Sequence, residues 1–448
     1  MGDLPEFARA ILAGATDAES VEVCVGRAVE TTVRVHGGVV ESLTTAESHG
    51  VGVRVVVGGR EGVAHAGSFD ADVVDGLVAE ARDNAVFAEP GERVGIAAPD
   101  GVAVVPVDRS DDSVAATSID DKIALARDLE AAVLAADPRV RGVRTAIYGD
   151  TRRETAIVNT LGIAASTTAT VASLSTSVLV DDIDGGTRTG GAVDAARGPA
   201  GLDVAKVADL AVGRGLQLLG AGPPTTGRPL VVLEPRFAAT VLSIVAGMLS
   251  GERVVKGRTP FADRVGEEVA AGLLTMFDDP TDADSLTAAA TDGEGLACRP
   301  VPLITDGILR GFLHDSRSGR GLGVASTGSA LRSVRGGPTP GHRSLHVAPR
   351  SGDLDAFVGD IDDGLLVASL QGLHSGVNAV SGDLSVGVEG VMIRNGELAE
   401  PIREGTLAGA IPRMVHDIVS VGADLERQPG GAIVPSLVID GLTLGGGG

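Results

Sequence analysis

Residues 220–227 read Gly220-Ala221-Gly222-Pro223-Pro224-Thr225-Thr226-Gly227. Paired prolines among glycines can continue neither a helix nor a central strand, because proline lacks the amide N–H and its ring clashes with the preceding turn. The chain therefore divides here. Immediately downstream, residues 230–233 form a short buried strand and 235–249 a helix of low polarity. Beyond them, Thr305-Asp306-Gly307 and Arg394-Asn395-Gly396 each separate apolar runs, and Asp-Gly and Asn-Gly are strong hairpin signals because both residues tolerate positive φ. The C-terminal half is thus expected to be β-rich and antiparallel.

Upstream of the break, strand and helix periodicities alternate. Residues 4–14 read as a helix and 21–35 as a strand ending in the turn His36-Gly37-Gly38, with further strands at about 39–47, 50–58 and 61–66. Asp70 can cap a helix to about 87, residues 90–112 form a connector, and Ser118 opens a helix over 118–136. Strands at 140–150, 153–160 and 163–181 precede a helix at 203–219. Residues 155–180 carry no charge over 26 positions, long enough to span a bilayer. Eleven of them are Ser, Thr or Asn, however, so the run reads as a β-hairpin. The predicted class is α+β, in three parts: two α+β segments at 1–105 and 106–222, and a β-rich domain at 228–448.

Composition agrees with this size, since 448 residues at roughly 150 per domain make about three domains. Only eight Phe, one Tyr and no Trp are present, so the core must be aliphatic. The 37 basic and 60 acidic residues leave a net charge of −23, which repels phosphate backbones and anionic lipid surfaces. Neither nucleic acid nor membrane is expected as a partner. Two cysteines, Cys24 and Cys298, cannot build a disulfide framework, and the first residues resemble no leader peptide; a cytoplasmic location is expected.

The chemistry is defined largely by what is missing. No GxGxxG, GxxxxGK[ST] or GxSxG motif occurs. Eight histidines leave the stretch 66–313 empty, so imidazole chemistry could use only the two ends of the chain. His342 and His346 are four apart, but prolines flank them and 344–348 reads as a strand, where that spacing spans about 13 Å and cannot serve one zinc ion. They are read as half-exposed strand residues. The densest polar cluster is 371–383, which offers Gly372, His374, Ser375, Gly376, Asn378, Ser381 and Asp383 either as a contact surface or as an ordinary glycine-rich turn. Asp292-Gly293-Glu294-Gly295 is read as a solvated turn or as carboxylates near a cleft, and Cys298 beside Arg299 as an inert thiol. No catalytic residue or metal ligand is assigned.

Five blocks in order carry a resemblance. They are Asp292-Gly293-Glu294-Gly295 to Arg299, residues 305–313, Gly372 to Asp383, residues 388–397 and residues 418–426. Together they resemble the TldD/PmbA family, formerly called modulators of DNA gyrase. The resemblance implies that the C-terminal sheet closes in a barrel-like way. It also implies that a zinc-bearing branch carries HExxxH on a helix early in the C-terminal domain. The corresponding helix here, Phe237-Ala238-Ala239-Thr240-Val241-Leu242-Ser243-Ile244-Val245-Ala246-Gly247-Met248-Leu249, has neither His nor Glu. The chain accordingly resembles the TldE (PmbA) branch. This implies a non-metal subunit of a heterodimeric metallopeptidase that encloses a cavity for unfolded or small peptides, or for a peptide-like metabolite. Zinc would come from a TldD-type partner, and the 371–383 loop would meet substrate or partner. The alternative expectation is a non-enzymatic regulatory protein that forms homodimers or other homo-oligomers.

Overall fold

The computed structural model describes residues 3–446. Six strands form one antiparallel sheet: β1 (Ser20–His36), β2 (Val39–Val57), β3 (Arg60–Ala66), β4 (Val140–Asn159), β5 (Ala164–Asp181) and β6 (Thr187–Ala196), in the order β3-β2-β1-β4-β5-β6. The β1–β4 pairing, from Glu22↔Asn159 to Val35↔Ala146, joins the two N-terminal segments into one layer. The uncharged run lies in the β4–β5 hairpin, as expected.

Four helices cover one face of this sheet. Leu4–Leu12 and Leu77–Val86 pack on Val21, Val23, Val25, Val51, Val53 and Val55, whereas Ile119–Ala136 and Val204–Leu216 pack on Val33, Val35, Tyr148, Leu174 and Val178. Each buried valine or leucine contributes about 1.5–3 kcal/mol. Ser118 opens the Ile119–Ala136 helix by accepting a bond from the Asp121 N–H. Three local expectations are corrected. The strands at 39–47 and 50–58 are one strand, as are those at 140–150 and 153–160, while the helix at 70–87 is interrupted at Asp75 and Gly76.

Downstream of the Gly/Pro segment, a seven-stranded sheet runs Ile418–Val421, Leu437–Ile439, Leu230–Leu233, Asp363–Gln371, Asp383–Arg394, Glu397–Ala410, Thr443–Gly445 and curls into a half-barrel. A second sheet of six short strands centres on Met276–Asp278 and Leu345–Val347. The aliphatic core between them includes the Pro235–Met248 helix. Among the described residues, pairing between these strands is antiparallel except where Gly364–Leu366 lies parallel to Leu230–Val232 and His346 to Ile433; the isolated bridges Gly222↔Ile402 and Ser250↔Leu313 are also parallel. Asp306 and Asn395 both have positive φ, and each turns a hairpin where the Asp-Gly and Asn-Gly signals place one.

The uncovered face of the first sheet meets the C-terminal domain. Val334 lies over Gly26, Gly50 and Gly52, and a Cβ on Gly52 would stand far inside contact distance of the Val334 carbonyl oxygen. Glycine is needed there for close approach. Beside it, fully buried Glu22 pairs with Arg54 at 2.9 Å and with Arg332 from the C-terminal domain.

Candidate functional site

The Asp-Gly-Glu-Gly segment is not a solvated turn. Asp292 is 4% and Glu294 1% exposed, because the turn is held between the first sheet and the segments 315–318 and 330–332 of its own domain. Asp292 Oδ1 accepts from the Glu294 and Leu296 N–H groups at 2.9 and 3.0 Å, and Oδ2 accepts from Ala330 N–H at 3.1 Å. The carboxylate thereby ties the turn to the segment leading to Arg332. Gly295, at φ +81°, permits the reversal. Glu294 Oε2 accepts from Ser316 N–H at 2.8 Å, where Asp315 and Ser318 cap the Ser316–Leu322 helix reciprocally.

Burial pushes the Glu294 carboxyl up to about 7, with the Asp292 charge adding to it. It likewise raises Asp292 and Asp278 to about 6, against the backbone N–H bonds that favour their ionised forms. Carboxyls that titrate near neutrality suit acid–base work when a reactant can reach them. Asp292 borders a small cavity of about 190 Å³, whereas Glu294 does not. Glu294 is therefore a structural peg, and Asp292 the one member of the pair open to a ligand. Cys298 is buried and its thiol pushed up to about 12 by burial, consistent with the inert reading.

The Pro235–Met248 helix contributes Phe237, Ala238, Val241, Leu242, Val245 and Met248 to the C-terminal core. Only Arg236, Thr240, Ser243, Ile244 and Gly247 are half-buried, and none supplies an imidazole, thiolate or carboxylate. Among the described residues, no three His, Cys, Asp or Glu side chains are grouped so as to hold a metal ion. The residues on this helix do not fit zinc, which needs nitrogen, sulfur or carboxylate donors.

His346 lies on the Leu345–Val347 strand, but it is buried, not half-exposed: it stacks on Phe277 with ring centroids 5.1 Å apart, and its Nε2 is 3.1 Å from Ser344 Oγ. His342 precedes that strand in irregular backbone and is partly buried. Burial lowers both histidines' affinity for a proton.

The 371–383 cluster forms a surface excursion between the Asp363–Gln371 and Asp383–Arg394 strands, with one helical turn at Leu373–Gly376. Gly372 takes φ +75° and Gly382 φ +85°. The side chains of His374, Ser375, Asn378, Ser381 and Asp383 are exposed. Asn378 Oδ1 accepts from the Val380 and Ser381 N–H groups at 3.0 and 3.2 Å, and Ser381 Oγ donates to Asp383 Oδ2 at 2.6 Å. Gly376 packs so closely on the Ser385 carbonyl that no side chain fits. The loop is internally braced, presents polar groups outward, and is separate from the Asp292 turn.

The sequence reading missed Arg109 and Arg343, which line the same cavity as Asp292. Residues 90–112 have only connector character in the sequence, and no periodic signal marks one arginine within a loop.

Three family models match the chain: PmbA/TldA metallopeptidase domain 1 over residues 21–85, the central domain over 112–219 and the C-terminal domain over 226–446. The metalloprotease PmbA of Escherichia coli is 27% identical over 434 residues, covering 94% of this chain and 92% of that one. A metalloprotease TldD homolog of Haemophilus influenzae is 26% identical, over 91% of this chain and 89% of its own length. The crystal structure of TldE from Thermococcus kodakarensis superposes with a TM-score of 0.88 at 23% identity, covering 99% of both chains, so the fold is shared.

Proposed function

The chain belongs to the PmbA/TldD metallopeptidase family, and from that premise we propose that it is the subunit without a metal in a heterodimeric zinc peptidase of the TldD/TldE type. One observation carries this reading. The Pro235–Met248 helix, which the family resemblance matches to the motif-bearing helix of a zinc-bearing branch, offers no donor for zinc and no general base. In this reading the partner supplies both, and this chain encloses part of a chamber for unfolded or small peptides or for a peptide-like metabolite.

The 371–383 loop is the proposed contact with partner or substrate, through Gly372, His374, Ser375, Gly376, Asn378, Ser381 and Asp383. Its exposed, internally braced geometry supports that role, since polar groups already held in place lose little freedom on binding. The proposed location is the cytoplasm; no helix among the described residues is long and apolar enough to cross a membrane.

Co-expression with a TldD-type chain tests the assembly. A one-to-one complex by native mass spectrometry, weakened about tenfold or more by combined Asn378→Ala and Asp383→Ala, is expected. A stable homodimer that ignores the co-expressed chain would instead favour a regulatory protein of the gyrase-modulator type.

A further inference from the structure

The cavity bordered by Asp292 lies between β1, β4 and β5 on one side and the C-terminal segments 291–293 and 332–343 on the other. Four arginines line it: Arg109, Arg153, Arg332 and Arg343. In a chain with net charge −23, such a concentration of positive charge is unexpected. Several buried or half-buried arginines in the molecule are matched by carboxylates, while Arg197 donates to the Ala283 and Ser285 carbonyls. Arg54 meets Glu22 and Glu61, Arg188 meets Asp182, and Arg332 meets Glu22. Arg109 and Arg343 are different: among the described residues neither has a carboxylate within 4.0 Å, and neither guanidinium makes a hydrogen bond.

Two further observations concern the cavity-lining arginines, although buried Nε atoms without a partner also occur at Arg34, Arg188 and Arg197 elsewhere. The Nε atoms of Arg109 and Arg332 are buried with no hydrogen-bond partner, although the Arg332 side chain is only 3% exposed. Burial, then the charges of Arg343 and Arg197, lower the proton affinity of Arg109 to about 10. Asp292 lines the same cavity and feels the Arg343 charge, offsetting part of it; the guanidiniums still repel one another, and one oxyanion bound at both Arg109 and Arg343 would remove the repulsion and satisfy the donors.

The volume, about 190 Å³, suits a carboxylate or phosphate group and falls below the ~300–1,000 Å³ of a site for a drug-sized molecule. Thr155 and Thr291 add hydroxyls to its wall. A second cavity, of about 330 Å³, shares Arg153, Arg332, Thr155 and Val334 with the first and adds Arg27 and Arg335. The remainder of a bound molecule therefore has an adjoining space lined by further arginines, of which Arg27 pairs with Glu154 and Arg153 with Glu30.

We propose that this interdomain cavity is an oxyanion-binding site in which Arg109 and Arg343 grip a carboxylate or phosphate group on a small ligand. The site is built entirely from this chain and stands whether or not a peptidase partner exists.

Titration calorimetry on the full chain at fixed ionic strength tests it, using inorganic phosphate, trialanine as the free acid and trialanine amide as probes. Either oxyanion probe should bind, and Arg109→Gln or Arg343→Gln should weaken it about tenfold or more. Arg413→Gln, at an exposed position paired with Asp417, should leave binding unchanged. Binding of the free acid alone supports a carboxylate ligand, of phosphate alone a phosphate ligand, and of both a general oxyanion site. If a glutamine variant fails to fold, Arg343→Lys keeps the charge but loses the fork, and should still weaken binding. Equal affinity for acid and amide without phosphate binding, no binding by any probe, or affinities indifferent to both arginines would overturn the proposal.

Discussion

Replacing Glu294 by Gln removes a carboxyl that is 1% exposed while keeping an oxygen to accept the Ser316 N–H. In the folded chain the carboxyl is pushed up to about 7 from an ordinary 4.5, first by burial and then by Asp292. The folded state therefore holds this proton more tightly than the unfolded state does. The resulting stability is fully present below the unfolded value and is lost as pH rises through about 7. With roughly 1.4 kcal/mol per pKa unit, linkage removes about 2–3 kcal/mol between about pH 5 and about pH 8. Glutamine cannot titrate, so the variant should gain about 2–3 kcal/mol relative to wild type over that interval. Asp292 and Asp278 titrate in the same range, which is why the difference between the two proteins is the quantity to measure. Because the chain has no tryptophan, urea unfolding is best followed by far-ultraviolet circular dichroism at both pH values. A wild-type-to-variant difference that is the same at about pH 5 and about pH 8 would show that Glu294 titrates as an exposed carboxyl and that the buried turn is wrongly described.

Three further outcomes follow from the interface between the sheet and the C-terminal domain. Gly52→Ala should lower stability by about 2–3 kcal/mol, because its Cβ collides with backbone at Val334; a melting temperature within error of wild type would contradict that contact. Glu22→Gln strips the shared counter-charge from buried Arg54 and Arg332 and should cost about 3 kcal/mol or more in urea unfolding, whereas a loss below about 1 kcal/mol would mean the cluster is solvated. Cys24 and Cys298 are both buried with raised thiol pKa values. A thiol reagent near neutral pH should therefore label neither in the native protein and both after denaturation.

The α+β class could be read in the sequence because it rests on local chemistry: alternation, helical spacing, and residues that tolerate positive φ. What was misread depends on contacts distant in sequence. Glu47-Ser48-His49-Gly50 looks like a turn, yet β2 continues through it paired with β1, and Gly50 and Gly52 serve to admit Val334 from nearly 300 positions away. Asp150 looks like the end of a strand, but Lys122 at 2.6 Å and the Tyr148 hydroxyl at 2.7 Å satisfy its carboxylate inside β4. The Asp292 turn has the composition of a solvated loop and is buried because the first sheet and the segments 315–318 and 330–332 of its own domain pack around it. Apolar residues on both sides of that turn, Ala288-Ala289-Ala290 and Leu296-Ala297-Cys298, were the available signal. The exposed 371–383 loop was recognised as a polar cluster because its glycines and hydrogen-bonding groups are contiguous; Arg109 and Arg343 come together only in the fold.

The most direct measurement is peptide cleavage, with zinc content determined on the same samples, by this chain alone, by a TldD-type partner alone and by the two together. The pair should cleave unfolded or small peptides in a chelator-sensitive manner with about one zinc per heterodimer, and this chain alone should neither cleave nor retain zinc. Robust chelator-sensitive cleavage by the purified chain without a partner, with zinc bound to it in stoichiometric amount, would contradict its assignment as the subunit without a metal.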